Sequence, residues 1–262
     1  MKVEQKKFFL NVVFILVATA IALWFNFHEE TEASKETGQQ TSPAVQNLSG
    51  DYVLAMSWQP AFCEGQPSKP ECRSQKEGRF DTVNFSLHGL WPQPEDRTYC
   101  DPSLPRGGGW SRLPQPELSE SLRRELETRM PGYRSYLHRH EWIKHGTCIQ
   151  GITAEDYFRL SLDLLNEINA SLLIDYVSWN IGRRITLSEA AKQMDESFGK
   201  GAGKRLSFVC KRDAGRNLVS EFRIALRDPD GDGLFPLNEH ILAAPALRSS
   251  CKSGIVDRAG LQ

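Results

Sequence analysis

No C-x-x-C pair occurs among the six cysteines of this 262-residue chain, which disfavours a zinc ribbon or a thioredoxin-like redox motif. Charge of one sign is missing too. Lys and Arg number 32 against 33 Asp and Glu, a net charge of −1, so any nucleic-acid partner must be argued from local residues. No internal repeat is evident, and strands do not alternate with helices as in a Rossmann sheet. What remains is a length suited to one sizeable domain.

Charge is also absent from residues 8–27, FFLNVVFILVATAIALWFNF, which follow Lys2, Lys6 and Lys7. The run is long for a signal-peptide core and close to the ~20 residues that cross a bilayer as a helix. Ala18-Thr19-Ala20 imitates a cleavage site, yet the apolar run continues beyond it. Residues 1–27 therefore read as an uncleaved signal-anchor in preference to a cleaved leader, with the lysines cytoplasmic and the rest exported, periplasmic or extracellular. Residues 28–50 are rich in Glu, Ser, Thr and Gln and read as a flexible polar stalk, leaving 51–262 as the folded domain. In an exported chain the even set Cys63, Cys72, Cys100, Cys148, Cys210 and Cys251 suggests three disulfides, with their connectivity open.

Within that domain YVLAMSW (52–58) and TVNFSLHGLW (82–91) read as strands, the second stopping at His88-Gly89. Residues 92–116, rich in Pro and Gly, form a long loop of the kind that carries function. A helix is expected over 116–130, ended by Pro131-Gly132. Two more follow capping patterns, Thr153 with Asp156 and Thr186 with Glu189. RLSFVC (205–210) and LVSEFRIAL (218–226) then read as strands joined by a Gly-containing turn. The expected class is α+β: a central antiparallel sheet packed with several helices.

Chemistry concentrates in HRHEWIKHGTC, residues 138–148. A zincin needs histidines four apart on one helical face, whereas His140 and His145 are five apart, roughly 140° around a helix. Glu141 and His145 share a face instead, as do His140 and Lys144, giving a wall of acid, base and cation. A second imidazole, His88, stands in FSLHGLWP (85–92). Two imidazoles suit simultaneous proton removal and delivery, because one ring can be neutral while the other is charged. Lys144 and Glu141 can stabilise charge developing at a phosphoryl centre, and Trp91 offers a flat face to a base.

Together FSLHGLWP and HRHEWIKHGTC, with YVLAMSWQPAFC upstream, resemble the active-site motifs of the ribonuclease T(2) family, in particular its bacterial periplasmic members. The resemblance covers roughly residues 51–257. It implies a metal-independent endoribonuclease, without cofactor, that acts on single-stranded RNA through the substrate's own 2′-hydroxyl and so not on DNA. The products implied are a 2′,3′-cyclic phosphate and then a 3′-phosphate. By the same resemblance His88 is the general acid, His145 the base, and His140 a phosphate holder. Glu141 and Lys144 stabilise the transition state, while Trp91 and Tyr99 stack the base. Gln93 departs from the acidic residue some members carry, which leaves base preference open. The implied bridges are Cys63–Cys72, Cys100–Cys148 and Cys210–Cys251, in a monomer.

His138 lies outside that pattern and reads as a surface residue. DPDGDGLFPLNE (228–239) matches a calcium-loop pattern through Asp228, Asp230, Asp232, Gly233 and Glu239, but follows a strand and contains Pro229 and Pro236, so a polar turn is the preferred reading. Asn-x-Ser sequons stand at Asn47, Asn84 and Asn169, with Asn84 in the expected active-site strand. Two rivals remain: a catalytically retired RNA-binding module on the same fold, and a metal-dependent phosphodiesterase.

Overall fold

The structure, a computed structural model, describes residues 50–231 and 233–261. The expected signal-anchor and the expected stalk up to residue 49, with Asp232 and Gln262, lie outside the described residues. Among the described residues no helix is long and apolar enough to cross a membrane.

Strand β1 (Gly50–Ser57) is the expected first strand, and its alternate residues Tyr52, Leu54 and Met56 enter the core. It pairs antiparallel with β2 (Ser86–Pro92) on one side and β5 (Arg216–Asp228) on the other. The sheet runs β2-β1-β5-β6-β3, where β3 is Arg184–Thr186 and β6 is Ser253–Ile255, and β4 (Leu206–Asp213) pairs with β5 beside that path. The long strands are antiparallel; the single contact of β5 with β6, Leu218 opposite Ile255, is parallel. β2 does not stop at His88-Gly89 as expected but carries on through Pro92, because β1 pairs with it along that length.

The short helices α1 (Gln59–Glu64) and α2 (Pro70–Arg73) lie in the first disulfide loop. Helix α3 (Glu120–Arg129) begins after the cap Ser119, whose hydroxyl accepts from the Leu122 amide. Helix α4 (Leu137–Lys144) carries the second motif. Helix α5 (Ala154–Asn169) starts at Thr153 as its capping pattern predicts, and α7 (Leu187–Phe198) starts at Thr186. Between them stands α6 (Leu172–Trp179), and α8 (Leu237–Ala243) follows β5.

One face of α5 (Tyr157, Phe158, Leu164, Leu165, Ile168) joins Phe222, Ile224 and Leu226 of β5 in the core. Burial of a side chain of this size contributes roughly 1.5–3 kcal/mol. The bridges formed are Cys63–Cys72, Cys100–Cys148 and Cys210–Cys251, the pairing that the family resemblance implies. Asn169 uses its amide at both ends on the Phe85 backbone, and Asn84 lies in the turn before β2, not within the strand.

The Asp228 segment is a closed turn. Asp228 is fully buried, and its two carboxylate oxygens accept from the backbone amides of Gly231 and Gly233 at 2.9 and 2.8 Å. Each carboxylate oxygen thus has a backbone donor that ties the turn to the end of β5. Among the described residues no three His, Cys, Asp or Glu side chains converge as a metal site.

Candidate active site

β2 is an edge strand, and its exposed backbone edge is covered from α5. The Tyr157 hydroxyl donates to Leu90 O and accepts from Leu90 N, at 3.0 and 3.1 Å. Next to this anchor the ladder to β1 slips: Ala55 faces Gly89 while Met56 faces Leu87, so His88 is the extra residue of a β-bulge. Bulges re-aim a side chain that a regular pleat would direct elsewhere. Gly89 follows for a steric reason, since a Cβ there would collide with the Glu141 carboxylate and the Trp91 indole.

α4 brings the second motif to this bulge. It ends at His145, whose amide donates to Glu141 O at 2.9 Å, and the chain turns at Gly146, where a Cβ would strike the Trp142 ring. Each catalytic-type histidine is thus followed by a glycine that permits a close approach. The Cys100–Cys148 bridge ties the loop of Tyr99 to this turn, with its Cα atoms 4.9 Å apart. The Tyr99 amide donates to Lys144 O at 2.8 Å, and Arg97 donates to Cys148 O at 2.9 Å.

The two motifs meet around Trp91. The His145 ring stacks on the indole at 5.3 Å between centroids and 27° between planes, and the His88 ring meets it edge-on at 5.1 Å. Trp91 donates from Nε1 to Glu141 Oε2 at 2.8 Å, and Glu141 Oε1 lies 3.7 Å from His88 Nε2. Arg223 of β5 lies over the same indole, 4.9 Å from its centroid. His140 forms the outer wall, stacked on Trp110 at 4.7 Å and edge-on to Tyr99 at 6.5 Å.

The electrostatics separate the histidines. Burial lowers His145 to a pKa of about 3, assisted by the charges of Lys144, His140 and His88, so this ring is neutral at working pH. Its Nδ1 is buried without a hydrogen-bond partner. His140 falls to about 4 for similar reasons, burial first and Lys144 next. His88 goes the other way. Burial alone would lower it, but the hydrogen bond to Glu221 and the charges of Glu141 and Glu221 raise it above 6.5. Glu141 is raised by burial, against the pull of His88, Trp91 and Lys144. The environment of the cleft thus drives its titratable groups apart.

Some placements differ from expectation. His138 is not on the surface: it is buried, 2% exposed, stacked on Tyr133 at 3.8 Å and within 3.3 Å of Gln115 Oε1. The aromatic ring of Tyr133 covers it, and burial, with Arg139 nearby, lowers its pKa to about 4. Sequence reasoning missed Glu221, Arg223 and Trp110. Trp110 had one signal, a large aromatic in a Gly-rich loop; Glu221 and Arg223 had none beyond polar alternation along a strand.

A separate cavity lies beside α7, lined by Leu187, Ala191, Lys204, Lys252 and Asp195 among others. Asp195 already accepts from the amides of Gly201 and Gly203, and no histidine is among the residues lining this cavity.

The fold is α+β, and its cleft brings two histidines and two glutamates together. The ribonuclease T2 family model matches residues 50–235, and the chain belongs to that family as an endoribonuclease. Ribonuclease I of Escherichia coli is 27% identical over 235 residues, covering 80% of this chain and 86% of that protein. Among solved structures, the self-incompatibility-associated SF11-RNase of Nicotiana alata superposes with a TM-score of 0.53 at 17% identity, over 79% of this chain and 96% of that one. Bitter gourd RNase MC1, in a single-site mutant form complexed with 5′-UMP, gives 0.52 at 20% identity, over 79% and 99%.

Proposed function

We propose that the chain cleaves single-stranded RNA by transesterification without a metal, using His145 as base and His88 as acid. The observation that carries this reading is the opposed charge state of two rings resting on one indole: His145 neutral, His88 protonated. His145 takes the proton of the ribose 2′-hydroxyl, whose oxygen attacks the adjacent phosphorus. His88 Nε2 delivers its proton to the departing 5′ oxygen, leaving a 2′,3′-cyclic phosphate. In the second half-reaction neutral His88 takes a proton from water, the hydroxyl attacks the phosphorus, and His145 returns its proton to the 2′ oxygen. The product is a 3′-phosphate.

Lys144 and Glu141 border the phosphorus and stabilise the charge that accumulates there, and His140 holds a phosphate oxygen. Trp91 and Tyr99 border the base; RNase MC1, which shares the fold, forms a complex with 5′-UMP. Trp91 has a further duty, because its indole already supports His145 and anchors Glu141. Three disulfides support an exported, oxidising location.

The test is digestion of single-stranded RNA by the purified protein in EDTA, with identification of the new ends. Cleavage leaving 2′,3′-cyclic phosphates is expected. Activity lost in EDTA and restored by a divalent cation would overturn the reading.

A further inference from the structure

We propose that Glu221 is the positioning residue of the acid His88: it accepts from Nδ1, turns Nε2–H toward the leaving oxygen, and is itself held by Arg223. This inference rests on the assignment of His88 as acid.

Glu221 Oε2 lies 2.6 Å from His88 Nδ1, and Glu221 Oε1 lies 2.5 Å from Arg223 Nε. Each carboxylate oxygen therefore has its own partner. Glu221 is 9% exposed, and a buried carboxylate is costly unless paired and hydrogen-bonded. The backbone is arranged for this contact from both sides. His88 is the extra residue of the β1–β2 bulge, and a second irregularity lies beside Glu221, where Val209 faces Glu221 while Cys210 faces Val219 and Ser220 is left over. Two bulges on two strands aim an imidazole and a carboxylate at each other across β1.

The titratable and charged groups around His88 come from each packed element. Glu141 and His140 come from α4, His145 from its end, and Glu221 and Arg223 from β5. Glu141 faces Nε2 at 3.7 Å and Glu221 binds Nδ1, so only Glu221 can set the tautomer without blocking the reacting nitrogen. The consequence spans both half-reactions. After Nε2 gives its proton to the 5′ oxygen, the neutral ring retains Nδ1–H on Glu221, and its Nε2 lone pair is free to take a proton from water. A carboxylate bound to the far nitrogen is the general device for fixing an imidazole's orientation and stabilising its cation.

The experiment compares two substrates in the full protein: a dinucleoside 3′,5′-phosphate, and a nucleoside 3′-(4-nitrophenyl phosphate), whose leaving group departs without a proton. Glu221→Ala should lower kcat/KM on the dinucleotide by about 10²-fold, within the range of general-acid catalysis, and on the nitrophenyl ester by no more than about threefold. Glu221→Gln keeps an acceptor for Nδ1 but loses the charge. Its rate at low pH should stay within about tenfold of the parent, while the alkaline limb of the pH profile moves to lower pH. Equal losses on both substrates, or an unmoved alkaline limb in Glu221→Gln, would overturn the proposal. His88→Ala separates the two levels: a loss on the ester as large as on the dinucleotide would remove the acid assignment itself, whatever Glu221 does.

Discussion

Glu221 and Asp228 are buried carboxylates on one strand, and they differ in the kind of partner each one binds. Asp228 gives its oxygens to the backbone amides of Gly231 and Gly233, donors that never titrate, and so closes a turn. Glu221 gives its oxygens to His88 and Arg223, and His88 in turn changes charge. The sequence offers a calcium-loop pattern in the first region, read in preference as a polar turn, and an ordinary strand in the second. Backbone amides close the first, and titratable or charged side chains hold the second.

The sharpest way to break the comparison is to remove a titrating group at one end and the Asp228 carboxylate at the other. His145→Ala should lower kcat/KM on RNA by about 10³-fold or more, as loss of a general base does, with the fold retained by circular dichroism. Activity within tenfold of the parent would return the molecule to the class of a retired binding module.

Next in size is the pH dependence. His145 is in its neutral, base-competent form above about 3, whereas His88, held above 6.5, is charged and acid-competent only below its own pKa. The profile of kcat/KM should therefore rise on a far-acid limb near 3 and fall tenfold per unit on an alkaline limb above 6.5. Stability follows the same linkage, group by group. Neutral His138, His140 and His145 favour the folded state above 6.5, a contribution lost as pH falls toward 4 and then 3. His88 contributes below 6.5 and loses its contribution as pH rises through its folded pKa. A rate flat from about pH 4 to 9 would contradict the two-histidine division.

Removing the Cys100–Cys148 bridge with two serines should cost about 2–4 kcal/mol of stability in denaturant unfolding. It should also lower kcat/KM, since the bridge holds the Tyr99 loop to the turn after His145. The smallest effect belongs to the far end of β5. Asp228→Ala strands two amides and should cost about 1–3 kcal/mol, with kcat/KM and calcium response unchanged. A calcium-dependent rise in melting temperature of the parent would restore the cation-loop reading.

The contrast also explains how far the sequence could be read. Thr153 and Thr186 announce their helices because capping is local: a hydroxyl and an amide three residues on. His88, Glu141, Lys144 and His145 could be singled out as candidates because each motif is a short contiguous string. Glu221 and Arg223 alternate with Phe222 and Ile224, which on a strand normally means a solvated face. Here that face holds the cleft, and only the β1 pairing with β2 on one side and β5 on the other makes it so. His138 was misread for the converse reason: a polar residue on a short charged helix reads as exposed until Tyr133 is seen against it.

Element types, cap positions, the paired motifs and the even cysteine set are all written in the chain, because interactions within a few residues set them. The bulge at His88, the carboxylate behind it, the burial that lowers His145 and the backbone closure of the Asp228 turn arise only on folding. Those depend on distant segments brought within hydrogen-bonding range, where low polarity and a specific partner, not residue identity, set the charge each group carries.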